Sequence, residues 1–100
     1  MDVLKINKAL SNLTRLDILK WLKDPDQHFP PHRELGHFDF GVCVLYIQEK
    51  AGLSQSTVSH YLTQMQNAGL VIPTRVGKWT YYRRDEDTIH SYLQTLNKSL

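Results

Sequence analysis

Between Ser54 and Gly69 the chain carries Gln, Ser, Thr, His and Asn side chains but not one Lys, Arg, Asp or Glu. Stepped at about 100° per residue along a helix, Val58, Tyr61, Leu62, Met65 and Ala68 fall on one apolar stripe. Ser56, His60, Thr63 and Asn67 fall opposite, flanked by Gln55, Thr57, Ser59 and Gln64. Ser and Thr are mediocre helix formers that gain nothing on a merely solvated face. As hydrogen-bonding groups they have a use: Gln pairs bidentately with adenine, Ser and Thr bond to base edges or phosphates, and a Thr methyl meets the thymine methyl. Gln55, Ser56, Thr57, Ser59, His60 and Thr63 are therefore the candidates for reading bases in a DNA major groove. His60 is read as a neutral base or phosphate contact.

Affinity for DNA needs cations, because neutralising phosphates releases counterions. The net charge is only +2, from 12 Lys and Arg against 10 Asp and Glu, so placement matters more than sum. Arg75, Lys78, Arg83 and Arg84 lie close together in the run TRVGKWTYYRR just after the polar helix. With Arg15 from upstream, they are the candidates for gripping phosphates while the helix reads bases. Trp79, Tyr81 and Tyr82 in the same run are read as cross-strand packing partners rather than stacking platforms for bases.

Other chemistries find less support. His28, His32, His37 and Cys43 fall within one stretch and offer nitrogen and sulfur ligands at a zinc-like count, but their spacing follows no zinc motif. No metal or other cofactor is favoured, and Cys43 is read as a buried small hydrophobe, with a redox role as the alternative. Paired carboxylates, a glycine-rich phosphate loop and triad spacing are all missing, so no catalytic residue is assigned and an enzyme is not expected. A single cysteine excludes an internal disulfide and fits a reducing compartment. No apolar run approaches the roughly 20 residues that span a bilayer, and MDVLKINKAL lacks a signal-peptide core, which points to the cytoplasm and no membrane partner.

The elements that must position these groups follow from periodicity. Val3, Ile6 and Leu10, then Leu16, Leu19 and Leu22, mark two helices at about 2–11 and 13–23, with Asn12 as the second helix's N-cap and Asp24-Pro25 as its stop. Residues 25–41, rich in Pro, Gly and His, read as an extended loop pinned by Phe29, Phe38 and Phe40. Val42 to Ala51 reads as a helix with Val44, Ile47 and Ala51 inward, closed by Gly52. Ser54 caps the polar helix, and two β-rich runs joined by VGK form a hairpin with Pro73 on its outer edge. Ile89, Tyr92, Leu93 and Leu96 mark a last helix over Asp85 to Leu100, with acidic residues in its first turn where the helix dipole favours them. The sum is one α+β domain over residues 1–100, mainly helical, in the order helix, helix, loop, helix, helix, hairpin, helix. With 100 residues and 41% hydrophobic content its core is modest, so help from a partner chain is plausible.

Two helices joined by a tight turn, then a basic hairpin, is the arrangement that lays a helix in the major groove. The segments ALSNLTRLDILKWL (9–22), GVCVLYIQEKAGLSQSTVSHYLTQMQNAGLV (41–71) and GKWTYYRR (77–84) are similar, in order and spacing, to bacterial winged helix-turn-helix repressors of the ArsR/SmtB family. The resemblance implies a homodimer formed by the first and last helices through Val3, Ile6, Leu10, Tyr92, Leu93 and Leu96. It also implies an inverted-repeat operator in double-stranded DNA and release by an effector. Family metal sites are not matched: CVLY at Cys43 to Tyr46 stands where metal sensors have Cys-Val-Cys-Asp, and Asp87 and His90 lack a following His and Glu. A repressor answering to metal or oxidation through Cys43 and the loop histidines, and a winged helix that binds protein instead of DNA, remain the alternatives.

Overall fold

The computed structural model describes residues 1–33 and 35–100. Four of the helices begin where a side chain ahead of them offers an acceptor to their orphan amides. The Asp2 carboxylate accepts from the Lys5 amide at 3.1 Å to open α1 (Val3–Leu10), and Asn12 from Arg15 at 3.0 Å to open α2 (Leu13–Lys23). A one-turn helix α3 (Pro25–His28) follows, with Pro25 at its start. The Ser54 hydroxyl accepts from the Thr57 amide at 3.2 Å ahead of α5 (Gln55–Asn67), and Asp85 from Thr88 at 3.1 Å ahead of the last helix, α6 (Glu86–Ser99).

The helix-turn-helix pair is α4 (Val44–Ala51) and α5, and the turn between them needs Gly52 in the left-handed region at φ 67°. A second left-handed glycine, Gly69, ends α5: the Gly69 amide donates to Gln66 and the Leu70 amide to Met65, the bond pair of a Schellman motif. The chain then turns into the wing, strands β2 (Val71–Val76) and β3 (Trp79–Arg84), paired antiparallel from Val71 opposite Arg84 to Val76 opposite Trp79. Gly77 alone takes positive φ at the two-residue tip, and Pro73 lies on the outer strand as its missing amide requires.

Two features depart from the sequence reading. Residues 25–41 are not wholly extended, since α3 occupies their first turn, and Val42–Cys43 do not begin the helix but form a short strand β1. This strand adds to β3, Val42 opposite Tyr82 and Cys43 opposite Tyr81, making a three-stranded sheet in the order β1-β3-β2. Gly41 permits that approach, because a Cβ there would sit 2.0 Å from the Tyr82 carbonyl oxygen. Of the three phenylalanines, Phe29 is buried edge-on to Trp21 and Phe38 is half-buried against His32, but Phe40 is exposed and touches the His37 ring instead of pinning the loop.

The core joins α1, α2, α4, α5 and α6 through Ile6, Ile18, Ile47, Val58, Leu62 and Met65, with Ile89 and Tyr92 from the last helix. Its composition corrects the expected dimer face. Ile6 is fully enclosed within the single chain, and Tyr92 is buried with its hydroxyl donating to Asn7, so neither is available to a second chain. Leu93 is 56% exposed, Val3, Leu10 and Leu96 are half-buried, and two leucines outside the expected set, Leu4 and Leu13, are 78% and 74% exposed. No helix among the described residues is long and apolar enough to cross a membrane.

Candidate nucleic-acid interface

Helix α5 rests its apolar stripe on the core, with Val58, Leu62, Met65 and Ala68 buried, and this fixes which side chains face outward. Gln55, Ser56, His60 and Thr63 are exposed, while Thr57 and Ser59 are half-buried. Several of these hydroxyls have local partners: Thr57 Oγ1 lies 2.8 Å and Ser56 Oγ 3.2 Å from the Ser54 hydroxyl, and Thr63 donates to the Ser59 carbonyl at 2.9 Å. Such bonds hold rotamers before any partner arrives, and a hydroxyl retains further acceptor capacity.

The wing stands beside the start of this helix. Gln55 and Ser59 line one side of a groove of about 250 Å³ whose other side is formed by Arg75, Lys78, Thr80 and Tyr82. Hydrogen-bonding side chains and cations, far apart in the chain, thus face the same space. The Arg75 guanidinium is steadied by donating to the Gly77 carbonyl at 2.9 Å, and the Lys78 ammonium lies 5.4 Å from the centre of the Trp79 ring. Burial raises the Tyr82 phenol above its ordinary pKa of 10.0, so it stays neutral beside these cations.

The other three cations assigned to phosphates are placed differently. Arg84 turns away from the wing tip: its guanidinium, 11% exposed, makes paired bonds of 2.9 and 3.0 Å with Glu86 and a longer one of 3.4 Å to the Leu19 carbonyl. It ties β3 to α2 and the start of α6. Arg15 donates to the Ala9 carbonyl at 2.7 Å, to Gln64 at 3.0 Å and to the Lys8 carbonyl at 3.4 Å, and stacks 5.1 Å from the Tyr61 ring centre. It closes the C-terminus of α1 and bolts α2 to α5, so its guanidinium is committed inside the chain. Arg83 is exposed but five residues from Lys78, about 16 Å along a strand at roughly 3.3 Å per residue. Consecutive in sequence, Arg83 and Arg84 end in different surroundings, Arg83 exposed and Arg84 turned toward α2 and α6.

The zinc-like set is not assembled. The buried ring of His32 accepts from the Cys43 amide through Nε2 at 3.1 Å, which leaves Nδ1 to donate to the His37 carbonyl at 3.0 Å. Both nitrogens are spent on backbone. His37 accepts from the Asp39 amide at 3.2 Å, and no group of three or more ligating side chains occurs among the described residues. What the sequence did not reveal is that His32 is a hub, with Phe38, Tyr46 and Tyr81 ring centres 4.7, 4.8 and 5.1 Å from its own.

A tight helical turn, a second helix with an uncharged hydrogen-bonding face, and a flanking wing whose cations open onto that face define a winged helix-turn-helix DNA-binding transcriptional regulator. The chain belongs to the arsR family of bacterial regulatory proteins. That family's model matches residues 43–72, from the residue before α4 to the start of the wing. The HTH-type transcriptional regulator YbzH of Bacillus subtilis (strain 168) is 51% identical over 89 residues, covering 89% of each chain. Among solved structures, the homodimeric winged helix-turn-helix DNA-binding domain of Mb0332 from Mycobacterium bovis aligns with a TM-score of 0.67 at 28% identity, covering 97% of this chain and 77% of that one. An ArsR-like regulator from Rhodococcus sp. RHA1, at 21% identity and TM-score 0.70 over 96% of this chain and 76% of its own, shares the fold.

Proposed function

We propose that the protein is a homodimeric, cytoplasmic repressor that inserts α5 into successive major grooves of an inverted-repeat operator and lets go when an effector binds. The observation that carries this reading is the shared groove: Gln55 and Ser59 on the helix face Arg75 and Lys78 on the wing across it. In that geometry Gln55, Ser56, Ser59, His60 and Thr63 address base edges, and Arg75 and Lys78 reach the flanking phosphates. Thr57, whose hydroxyl sits in the Ser54 cap, is given a supporting part. Self-association is supported by the exposed leucines Leu4, Leu13 and Leu93, and by the homodimeric state of the Mycobacterium bovis domain. A two-fold pair of α5 helices spaced about 34 Å apart fits half-sites one turn of DNA apart.

The test is a selection of bound duplexes from a random pool, run beside sedimentation of the free protein. The reading expects enriched sequences with two-fold symmetry, half-sites separated by whole helical turns, and a dimer at micromolar concentration. Enrichment of no sequence at low salt would favour use of the same face for binding protein.

A further inference from the structure

A second and larger cavity, about 520 Å³, lies on the other side of the wing's root, between the 30–33 segment, α4 and β3. Its volume is within the roughly 300–1,000 Å³ of small-molecule sites. Two half-buried aromatic side chains line it, Tyr46 from α4 and Trp79 from β3, together with the buried His32, Cys43 and Tyr81, of which the His32 ring packs on both tyrosines. Arg33 and Glu49 also line it, both exposed, and among the described residues neither side chain has a hydrogen-bond or ion-pair partner. Aromatic walls suit a planar ring, since ring pairs gain beyond their buried area. Unpaired charges of opposite sign suit a ligand that carries both.

We propose that this cavity binds a small aromatic zwitterion, its ring against Tyr46 and Trp79, its carboxylate toward Arg33 and its ammonium toward Glu49. The site also reaches the DNA-facing groove, because Trp79 and Leu45 line both cavities and Lys78 rests on the Trp79 ring. A ring stacked on Trp79 reorients the side chain on which a phosphate-gripping cation leans, so occupation weakens DNA binding. By linkage, DNA weakens the ligand by the same factor. This second step rests on the repressor reading above; the binding site itself does not.

The experiment uses the full chain labelled with nitrogen-15 and three probes: L-tryptophan, tryptamine and indole-3-acetate. L-tryptophan is expected to shift the Trp79 indole resonance saturably while leaving that of Trp21 in place, with affinity near millimolar or tighter. Tryptamine and indole-3-acetate, each lacking one charge, bind about threefold to fivefold more weakly, and Arg33→Ala or Glu49→Gln weakens L-tryptophan by a similar factor. Both substitutions lie at exposed positions outside the DNA-facing groove, and an unchanged spectrum elsewhere verifies the fold. No saturable shift at Trp79, or equal affinity for all three probes, overturns the proposal. If no duplex is bound but the Trp79 shift and charge dependence appear, the site stands and the repressor reading fails. If an operator is bound and saturating L-tryptophan leaves its affinity unchanged, the coupling is wrong.

Discussion

Replacing Arg15 by Ala separates two roles that the residue type alone leaves open. A phosphate contact would cost DNA affinity and little stability, whereas the observed contacts place the guanidinium inside the fold, on Ala9, Lys8 and Gln64. Bonds from a charged donor contribute about 1.5–3 kcal/mol each when well formed. Here two are short, at 2.7 and 3.0 Å, the third is 3.4 Å, and the site is half-exposed, which argues for the low end of that range. Adding roughly 0.5 kcal/mol for a cation at the end of α1, the loss is about 2–4 kcal/mol. At a urea slope of about 2 kcal/mol per molar, the middle of the usual range, the unfolding midpoint falls by about 1–2 M. Gln64→Ala alone should cost about 1 kcal/mol, and the double variant should show coupling of at least about 0.5 kcal/mol. Protein concentration is held fixed throughout, since a dimer's stability depends on it. A change in stability within about 0.5 kcal/mol, together with a reduced salt dependence of DNA binding, would refute the bolt and restore the phosphate contact.

Other substitutions probe the remaining joints. Gly41→Ala drives a Cβ to 2.0 Å from the Tyr82 carbonyl oxygen, so β1 must part from β3, at a cost of about 3 kcal/mol in thermal or urea unfolding. His32→Phe keeps an aromatic ring but leaves the buried Cys43 amide without its acceptor, and should lower stability by about 1–3 kcal/mol. Leu4→Glu with Leu93→Glu removes apolar contacts worth about 1.5–3 kcal/mol each, counted twice by two-fold symmetry. Sedimentation should show a monomer where the parent chain is a dimer, with the helical circular dichroism retained.

Much of this organisation is legible in the residues. Ser54 and Asn12 announce helix starts because a short polar side chain ahead of an apolar periodic run has few other uses. Gly52 and Gly77 mark turns that need positive φ. The polar face of α5 follows from the 3.6-residue period once its apolar stripe is recognised. What is not legible is three-dimensional neighbourhood. The runs RR at 83–84 and CV at 43–44 look uniform, yet strand pairing sends Arg84 to Glu86 while Arg83 faces solvent, and makes Cys43 a strand residue and Val44 a helical one. Two residues of the expected dimer face, Ile6 and Tyr92, turn inward for a related reason. Val3, Leu4, Ile6 and Leu10 cover more than one side of α1, and only the packed core decides that Ile6 points inward and Leu4 outward. The loop histidines looked alike, but burial among Phe38, Tyr46 and Tyr81 made one of them a fixed scaffold element.

In the proposed division of roles, α5 reads sequence and the wing tip supplies charge. The division is tested most directly by salt titrations of Gln55→Ala and Lys78→Ala on the selected operator and on a scrambled duplex. Each phosphate contact contributes about 0.9 to the slope of log affinity against log salt, so Lys78→Ala, present twice in a dimer, should flatten it by about 2 on both duplexes. Gln55→Ala should leave the slope unchanged and cost about 1–3 kcal/mol per half-site on the operator alone. Equal losses on both duplexes for Gln55→Ala, or an unchanged slope for Lys78→Ala, would contradict that division.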